Sequence, residues 1–369
     1  MSTPDRIRSA LALAAQALGA PEGLDVLLTR PRDRSFGDWT TNVAMTCARS
    51  LGRPPRDVAA RILDGLRLDD VGVASAEIAG NGFINFRLEP ERVAAGLACI
   101  LERDERYGRD GSGAGRGVAV SIAGPAPRVP LDVRDARALV SADAIVSLLA
   151  WTGWAPSRRF VRQGGELASL GIAVGPDDVG DSVDGTGCRR VELRRRALTV
   201  VGADTCSAER LVGQVGRDAV RFFFLQRRAD APLAFDVPLA RAARDENPLY
   251  RIQLAHARMS GMLRMAGADA AACRHPELAT LTEPMERPLI AALVDFPRVV
   301  VRAGEALAPH RIARYLLDTA TLAHAWHDTR LRLGDAGTLG APSFALARAT
   351  QIVLRNGLTI LGISAPDRM

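Results

Sequence analysis

Three groups of residues in this chain carry side chains suited to chemistry, and their spacing narrows what that chemistry is. The first is Phe83, Asn85 and Arg87, which alternate with Ile84, Phe86 and Leu88 along Ala76–Leu88. A strand here puts the two sets on opposite faces, and the apolar set is the natural core face. A ring, an amide and a guanidinium side by side suit stacking on a base, reading its edge and touching phosphate. The same alternation fits an ordinary half-buried hairpin with a polar outer face. The second group is His324 and His327, three apart on an expected helix. Two imidazoles at that spacing could grip a metal, but no cysteine or carboxylate completes the set, so packing is the better reading and no metal is expected. The third is five cysteines, Cys47, Cys99, Cys188, Cys206 and Cys273. They form no C-x-x-C pair and are odd in number, which reads as idle thiols in a reducing compartment.

Composition sets the frame for these groups. Of 369 residues, 47% are hydrophobic and 24% charged, an ordinary globular balance. At roughly 150 residues per domain the length suggests two or three domains. All 48 basic residues are arginine. The lack of lysine excludes a Walker A loop and a Schiff-base lysine. A net charge of +6 permits a polyanionic partner without requiring one. There is no basic-then-apolar leader and no apolar run near ~18–20 residues, so no signal peptide or membrane span is expected and the cytoplasm is the expected compartment.

The elements that must position these residues are legible in outline. Helical spacing marks Ile7–Leu18 and Trp39–Leu51. A third helix opens at Pro54 and Pro55 and carries Val58, Ile62, Leu63 and Leu66. Gly80-Asn81-Gly82 is a turn between two short strands. After the glycine-rich linker Gly108–Gly117 come a strand at Val118–Ile122, a proline-rich turn at Gly124–Pro130 and a helix at Ala136–Trp151. That order opens an α/β nucleotide fold. It does not continue, because Gly164–Gly187 is rich in Gly and Asp and reads as a connection. Helical patterns cover Leu211–Leu225, Pro248–Met265, Pro288–Leu307, His310–Leu333 and Pro342–Leu361, with Ala231–Pro238 extended. The expected fold is an α+β N-terminal domain over 1–110, a reduced α/β, Rossmann-like remnant over 117–230 and an all-α bundle over 231–369.

Several segments together resemble the arginyl-tRNA synthetase family of class I ligases. FGDWTTNVAM (Phe36–Met45) and GNGFINF (Gly80–Phe86) look like that family's N-terminal domain. There the hairpin contacts the tRNA D-loop, and the matching positions are Phe83 and Asn85. VGRDAVRFFFL (Val215–Leu225) is similar to the Asp-Ala-Leu-Arg signature of the family's anticodon-binding bundle. NPLYRIQLAHARM (Asn247–Met259), ALAPHRIARYLLD (Ala306–Asp318) and NGLTILGISAPDRM (Asn356–Met369) agree with later parts of that bundle. The resemblance implies that Arg258 and Met369 line the anticodon site, and that Trp326 and His327 occupy the place of an aromatic pair. Tyr250, Leu254 and Arg258 share one helix face by their spacing.

The middle departs from the family at each catalytic landmark. The family binds ATP with a H-[IV]-G-H turn whose two histidines bond the phosphates. The matching stretch here holds Asp132 and Asp135 at the histidine positions and Arg134 at the glycine. Two carboxylates oppose a triphosphate, and a long side chain blocks the adenine. A Mg²⁺ site on the two carboxylates is the competing reading. The family's KMSK loop falls at Ala197–Val200, where no cation stands. Arg194, Arg195 and Arg196 lie just before it and read as a solvated or RNA-facing patch. The interval from Asp132 to Ala197 is also several-fold shorter than the family's.

Three functions remain open from these residues. The leading one is a catalytically inactive relative that binds tRNA, with tRNA-Arg as the implied species. Its contacts would be Phe83, Asn85, Arg87, Arg194, Arg195, Arg196, Tyr250, Arg258, Trp326, His327 and Met369, and it would have no use for the family's ATP and Mg²⁺. The second is a protein-interaction subunit of an active arginyl-tRNA synthetase or of an enzyme using arginyl-tRNA. The third is a residual ligase.

Overall fold

Contacts divide the chain into two units, Met1–Gly96 and Leu97–Met369. The computed structural model describes residues 3–31, 36–123, 130–159, 166–172, 189–203, 207–265, 278, 281, 283–332 and 340–369. Most of the turn Gly124–Pro130, most of the connection Gly164–Gly187, and Cys188, Cys206 and Cys273 lie outside these residues.

The first unit runs α1 (Thr3–Ala17), β1 (Leu28–Thr29), β2 (Trp39–Thr41), α2 (Val43–Leu51), α3 (Pro55–Asp64), α4 (Leu68–Val71), β3 (Val73–Ala79) and β4 (Phe83–Leu88). The four strands form an antiparallel sheet in the order β1-β2-β4-β3. Ile7, Leu11 and Ala15, one helical turn apart, bury the inner face of α1 in a core with Trp39, Val58, Ile62, Ile84 and Phe86. The helix expected over Trp39–Leu51 starts later. Trp39 and the two β-branched residues after it pair with β4, Trp39 opposite Phe86. Thr41 then turns the chain, its Oγ1 donating to the Leu27 carbonyl at 2.8 Å and accepting from Val43 N at 3.2 Å.

α5 (Pro90–Arg103) leads into the second unit. It continues as β5 (Gly117–Ile122), α6 (Val133–Trp151), β6 (Ala155–Arg158), α7 (Glu166–Ser169), β7 (Arg189–Leu193), β8 (Leu198–Val201), α8 (Ala208–Val215), α9 (Arg217–Leu225), β9 (Leu233–Asp236) and α10 (Val237–Arg241). Five more helices close it among the described residues: α11 (Pro248–Met265), α12 (Glu286–Val294), α13 (Phe296–Glu305), α14 (Pro309–Arg332) and α15 (Ala341–Ile360). Strands β6-β5-β7 make a three-stranded parallel sheet in that order, and β8 pairs with β9 in parallel. None of the described helices is long and apolar enough to cross a membrane.

Helix α6 organises this unit. It is buried on nearly every face, from Val133 to Trp151, and its buried charges are partnered, Asp143 by Arg221 and Arg137 by the Ala231 and Arg228 carbonyls. One side packs on β5, β6 and α9, the other on α13, α14 and α15. The division expected from sequence between residues 230 and 231 therefore runs through a shared core.

Arg221 of α9 holds this arrangement together. Its side chain is 0% exposed. Nη2 donates to Asp143 Oδ2 of α6 at 2.7 Å, Nη1 to the Leu170 carbonyl at 2.9 Å and Nε to the Leu361 carbonyl at 2.9 Å. Asp143 also accepts from Arg158 of β6 at 3.1 Å. Gly362 has φ +68° and faces Arg221 so closely that a Cβ would overlap Nη2, so only glycine fits there. Removing one partner of a buried ion pair leaves the other charge uncompensated. Arg221→Met is expected to lower the unfolding free energy by about 3 kcal/mol, read as a shifted urea midpoint. An unchanged midpoint would show that the unit does not depend on this hub.

Candidate nucleic-acid interface

The sheet β6-β5-β7 reverses its winding at β5, and in such sheets a ligand sits beyond the carboxyl ends of the strands at that reversal. Here the place is taken by the protein's own charges. Asp132 is the N-cap of α6, its Oδ1 accepting from Arg134 N and Asp135 N at 2.8 Å each. Free N–H groups at a helix start favour an anion, and at α6 a carboxylate already occupies two of them. Asp135 is ion-paired with Arg195, whose guanidinium also donates to the Ala123 carbonyl at the end of β5. Arg195 leaves the end of β7, so one ion pair ties both strand ends to the start of α6. The solvated role expected for Arg195 does not hold, because the neighbouring carboxylate draws it inward. Asp132 and Asp135 each accept internal hydrogen bonds at Oδ1, and no cluster suited to a metal ion occurs among the described residues. Arg134 stays exposed, 3.6 Å from Asp132 Oδ2.

The segment Ala197–Val200 is no free loop. Leu198–Val201 is strand β8, with Val200 opposite Phe235 of β9, and Ala197 accepts from Leu233 N at 3.1 Å.

In the first unit the hairpin residues separate. Phe83 is 43% exposed, beside the Gly80–Gly82 turn, and Arg87 is half-buried. Asn85 is only 6% exposed, which corrects its expected role in reading a base edge. Strand β4 is central, and Thr40 and Glu77 flank Asn85 from both neighbouring strands. Alternation gives the face of a side chain but not what covers it.

In the bundle the expected contacts also part. Arg258 and His327 share a cleft of about 480 Å³ with Met262, Arg264 and Met265. Tyr250 lines another, of about 570 Å³, with Arg217, Asp218, Asn247 and Gln253. Trp326 is 1% exposed. It is a core residue, unavailable for stacking on a base, because α14 is covered on that face by its neighbours. Arg258 Nη1 donates to Asp328 Oδ1 at 3.1 Å and to His324 Nδ1 at 3.0 Å. His324 Nε2 donates in turn to the Arg251 carbonyl at 2.9 Å, so the neutral tautomer carries its proton on Nε2.

The chain end is pinned along α11. Asp218, the acid of the Asp218-Ala219-Val220-Arg221 signature, accepts from Ser364 N at 3.1 Å and Gln253 Nε2 at 3.3 Å. His256 Nδ1 lies 2.9 Å from the Pro366 carbonyl, Ser260 Oγ 2.8 Å from Asp367 Oδ1, and Arg264 donates to the Asp367 carbonyl at 3.0 Å. Met369 ends this tail 56% exposed.

A third cleft, of about 360 Å³, gathers Arg194 and Arg196 with Arg228, His310 and Arg311. Sequence reading misses the last three. They come from the end of α9's connection and the start of α14, and no local pattern links them to the run after β7.

The parallel sheet thus leads into a helical bundle whose terminal tail lies back along its first helix. Residues 5–88 match the arginyl tRNA synthetase N terminal domain and residues 252–369 the DALR anticodon binding domain. The Arginine--tRNA ligase of Bordetella pertussis is 28% identical, with 96% of this chain and 98% of that protein covered. That of Moorella thermoacetica is 25% identical, with 98% and 97% covered. Thermus thermophilus arginyl-tRNA synthetase shares the fold at TM-score 0.76 and 15% identity, covering 99% of this chain and 100% of that one. The Plasmodium falciparum arginyl-tRNA synthetase does so at TM-score 0.74 and 10% identity, covering 100% of each. This chain belongs to the arginyl-tRNA synthetase family. The Bordetella pertussis alignment runs over 547 positions and reaches nearly both ends of each chain, whereas this chain has 369 residues. A large internal part of that relative therefore has no counterpart here.

Burial holds the pKa of His324 below its ordinary value of 6.5, with Arg258 and Arg251 adding to the effect and the Arg251 carbonyl opposing it. Burial is also the main cause of the lowered values of His256 and His327. With folded values below the unfolded one, these groups cost nothing at neutral pH, and as pH falls through 6.5 the unfolded chain takes up protons first. Stability should thus fall between about pH 6.5 and 5, read from urea midpoints at each pH. In His324→Gln, which keeps an acceptor for Arg258, the fall should be smaller. An equal fall would show that His324 does not carry it.

Proposed function

We propose that this chain binds tRNA, tRNA-Arg in the first instance, and does not charge it. One observation carries the reading: the Arg195–Asp135 ion pair and the Asp132 cap stand at the ends of β5 and β7, while both terminal modules of the family persist at the chain ends. An internal carboxylate on the α6 N-terminus repels the phosphates that the family's turn binds. The paired strand β8 has no cation to hold a leaving pyrophosphate. Neither ATP nor Mg²⁺ has a fitting donor set there, so no step is assigned to either. What remains usable is an exposed Phe83, the Arg258–His327 cleft and the exposed Met369.

RNA crosslinked to the full-length protein in cells and sequenced should be enriched in tRNA, with tRNA-Arg foremost. Absence of tRNA would sink the reading and favour a protein-interaction subunit. Phe83→Ala should weaken binding of a tRNA whose D-loop base stacks on the ring by about 1–3 kcal/mol, and leave the melting temperature unchanged. A large drop in melting temperature would mean that Phe83 only packs the hairpin.

A further inference from the structure

The cleft of about 360 Å³ between the β7–β8 connection and the start of α14 has a charge pattern that its packing does not explain. Arg194, Arg196 and Arg311 line it. All three are exposed, and none of their guanidiniums makes a hydrogen bond or salt bridge with a described residue. Arg228 lines it as well but is held by Asp230, with Nε and Nη2 at 2.9 and 2.7 Å from the two carboxylate oxygens. The cleft's other carboxylate is Glu192. Two carboxylates against four guanidiniums leave an excess of positive charge on one concave wall.

The neighbours register this field. Burial lowers the pKa of His310, and Arg311 and then Arg228 lower it further. Its imidazole is thus neutral and adds no charge. The hydrogen bond from Arg228, with a smaller contribution from Arg196, holds the Asp230 carboxyl below its ordinary value. Three like charges drawn from two distant chain segments repel one another across the cleft, and a bound anion would relieve that repulsion. Guanidiniums match the oxygens of a phosphate through paired N–H donors. The volume exceeds what one phosphate needs and is open to solvent at the rim.

The geometry points to a phosphate-binding site in this cleft, formed by Arg194, Arg196 and Arg311, that takes a run of neighbouring phosphate groups, with an RNA backbone as the favoured source and a free polyphosphate as the other. The favoured source rests on the reading of the chain as a tRNA binder. Backbone phosphates carry no sequence, so the site supplies affinity and not choice. It shares no lining residue with the Arg258–His327 cleft, and Arg195, between Arg194 and Arg196, turns instead to Asp135.

The test uses the full-length protein, fluorescently labelled tRNA-Arg and a second tRNA, and inorganic tripolyphosphate as the small probe. Binding is measured by anisotropy across a salt series. The variant Arg194→Gln/Arg196→Gln/Arg311→Gln is set against a control, Arg244→Gln/Arg314→Gln, which removes two exposed arginines elsewhere. Thermal melts verify that each variant is folded. The triple variant should bind both tRNAs at least ~10-fold more weakly at low salt. Its plot of log affinity against log salt should be shallower by roughly one unit for each phosphate that is no longer neutralised. The control should match the parent. If the parent binds tRNA and the folded triple variant binds it equally well, the site is refuted and the tRNA-binding reading stands. If the parent ignores tRNA but binds tripolyphosphate, and the triple variant loses that binding, the site is supported with a small polyphosphate as its ligand, and the tRNA reading falls. If the parent binds neither probe, both fall.

Discussion

The buried guanidinium of Arg221 is the constraint on which the second unit depends. It reaches α6 through Asp143, the segment before the second half of the sheet through Leu170, and the chain end through Leu361. A charge with no water around it must satisfy every donor inside the protein, so these three partners cannot drift apart independently. The consequence is a tail that begins at a fixed point. From Leu361 it runs along α11, held in turn by Asp218, His256, Ser260 and Arg264. The signature Asp218-Ala219-Val220-Arg221 is therefore a structural clasp: its acid holds Ser364 and its base holds Leu361.

The same helix α6 that Arg221 anchors in its middle is closed at its start. There the Asp132 cap and the Asp135–Arg195 ion pair occupy the ground that a nucleotide fold keeps for phosphates. The internal ion pair replaces a ligand in a mechanical sense, since it joins the ends of β5 and β7 to the helix and steadies a sheet reduced to three strands. On the proposed function, absence of catalysis and stability of the shortened sheet thus have one physical cause. A chain that kept the family's histidines here, without the rest of the sheet, would lack that tie. The fold could then dispense with a large internal part of its relatives and still present the helices and hairpin at its ends.

Much of this is legible in the sequence, and the failures have specific reasons. Most helices from Pro248 onward follow from apolar residues at helical spacing and from proline and glycine punctuation, though the expected stretch Pro288–Leu307 is two helices that meet at Asp295, and the strand–helix opening at Val118 follows from its order. The spacing of Trp39 to Val43 and Cys47 fits a helix, yet pairing with Phe86 makes Trp39 a strand residue. Alternation puts Asn85 on the outer face, but the central position of β4 hides it. Trp326 matches an aromatic position of the family and belongs to the core. Arg195 sits in a run of three arginines with no visible difference, and only the fold brings Asp135 to it. The Arg-lined cleft joins residues more than a hundred positions apart in the chain, which no window of sequence can reveal.

Arginine-dependent exchange of labelled pyrophosphate into ATP by the purified full-length protein, run with and without tRNA-Arg, tests the central claim most directly. With Arg195, Asp135 and Asp132 set at the ends of β5 and β7, the crevice should support no exchange above the rate without protein under either condition. Exchange that needs arginine and rises with protein concentration would contradict the account. It would mean that the ion pair opens to admit ATP and that this reduced sheet still activates an amino acid.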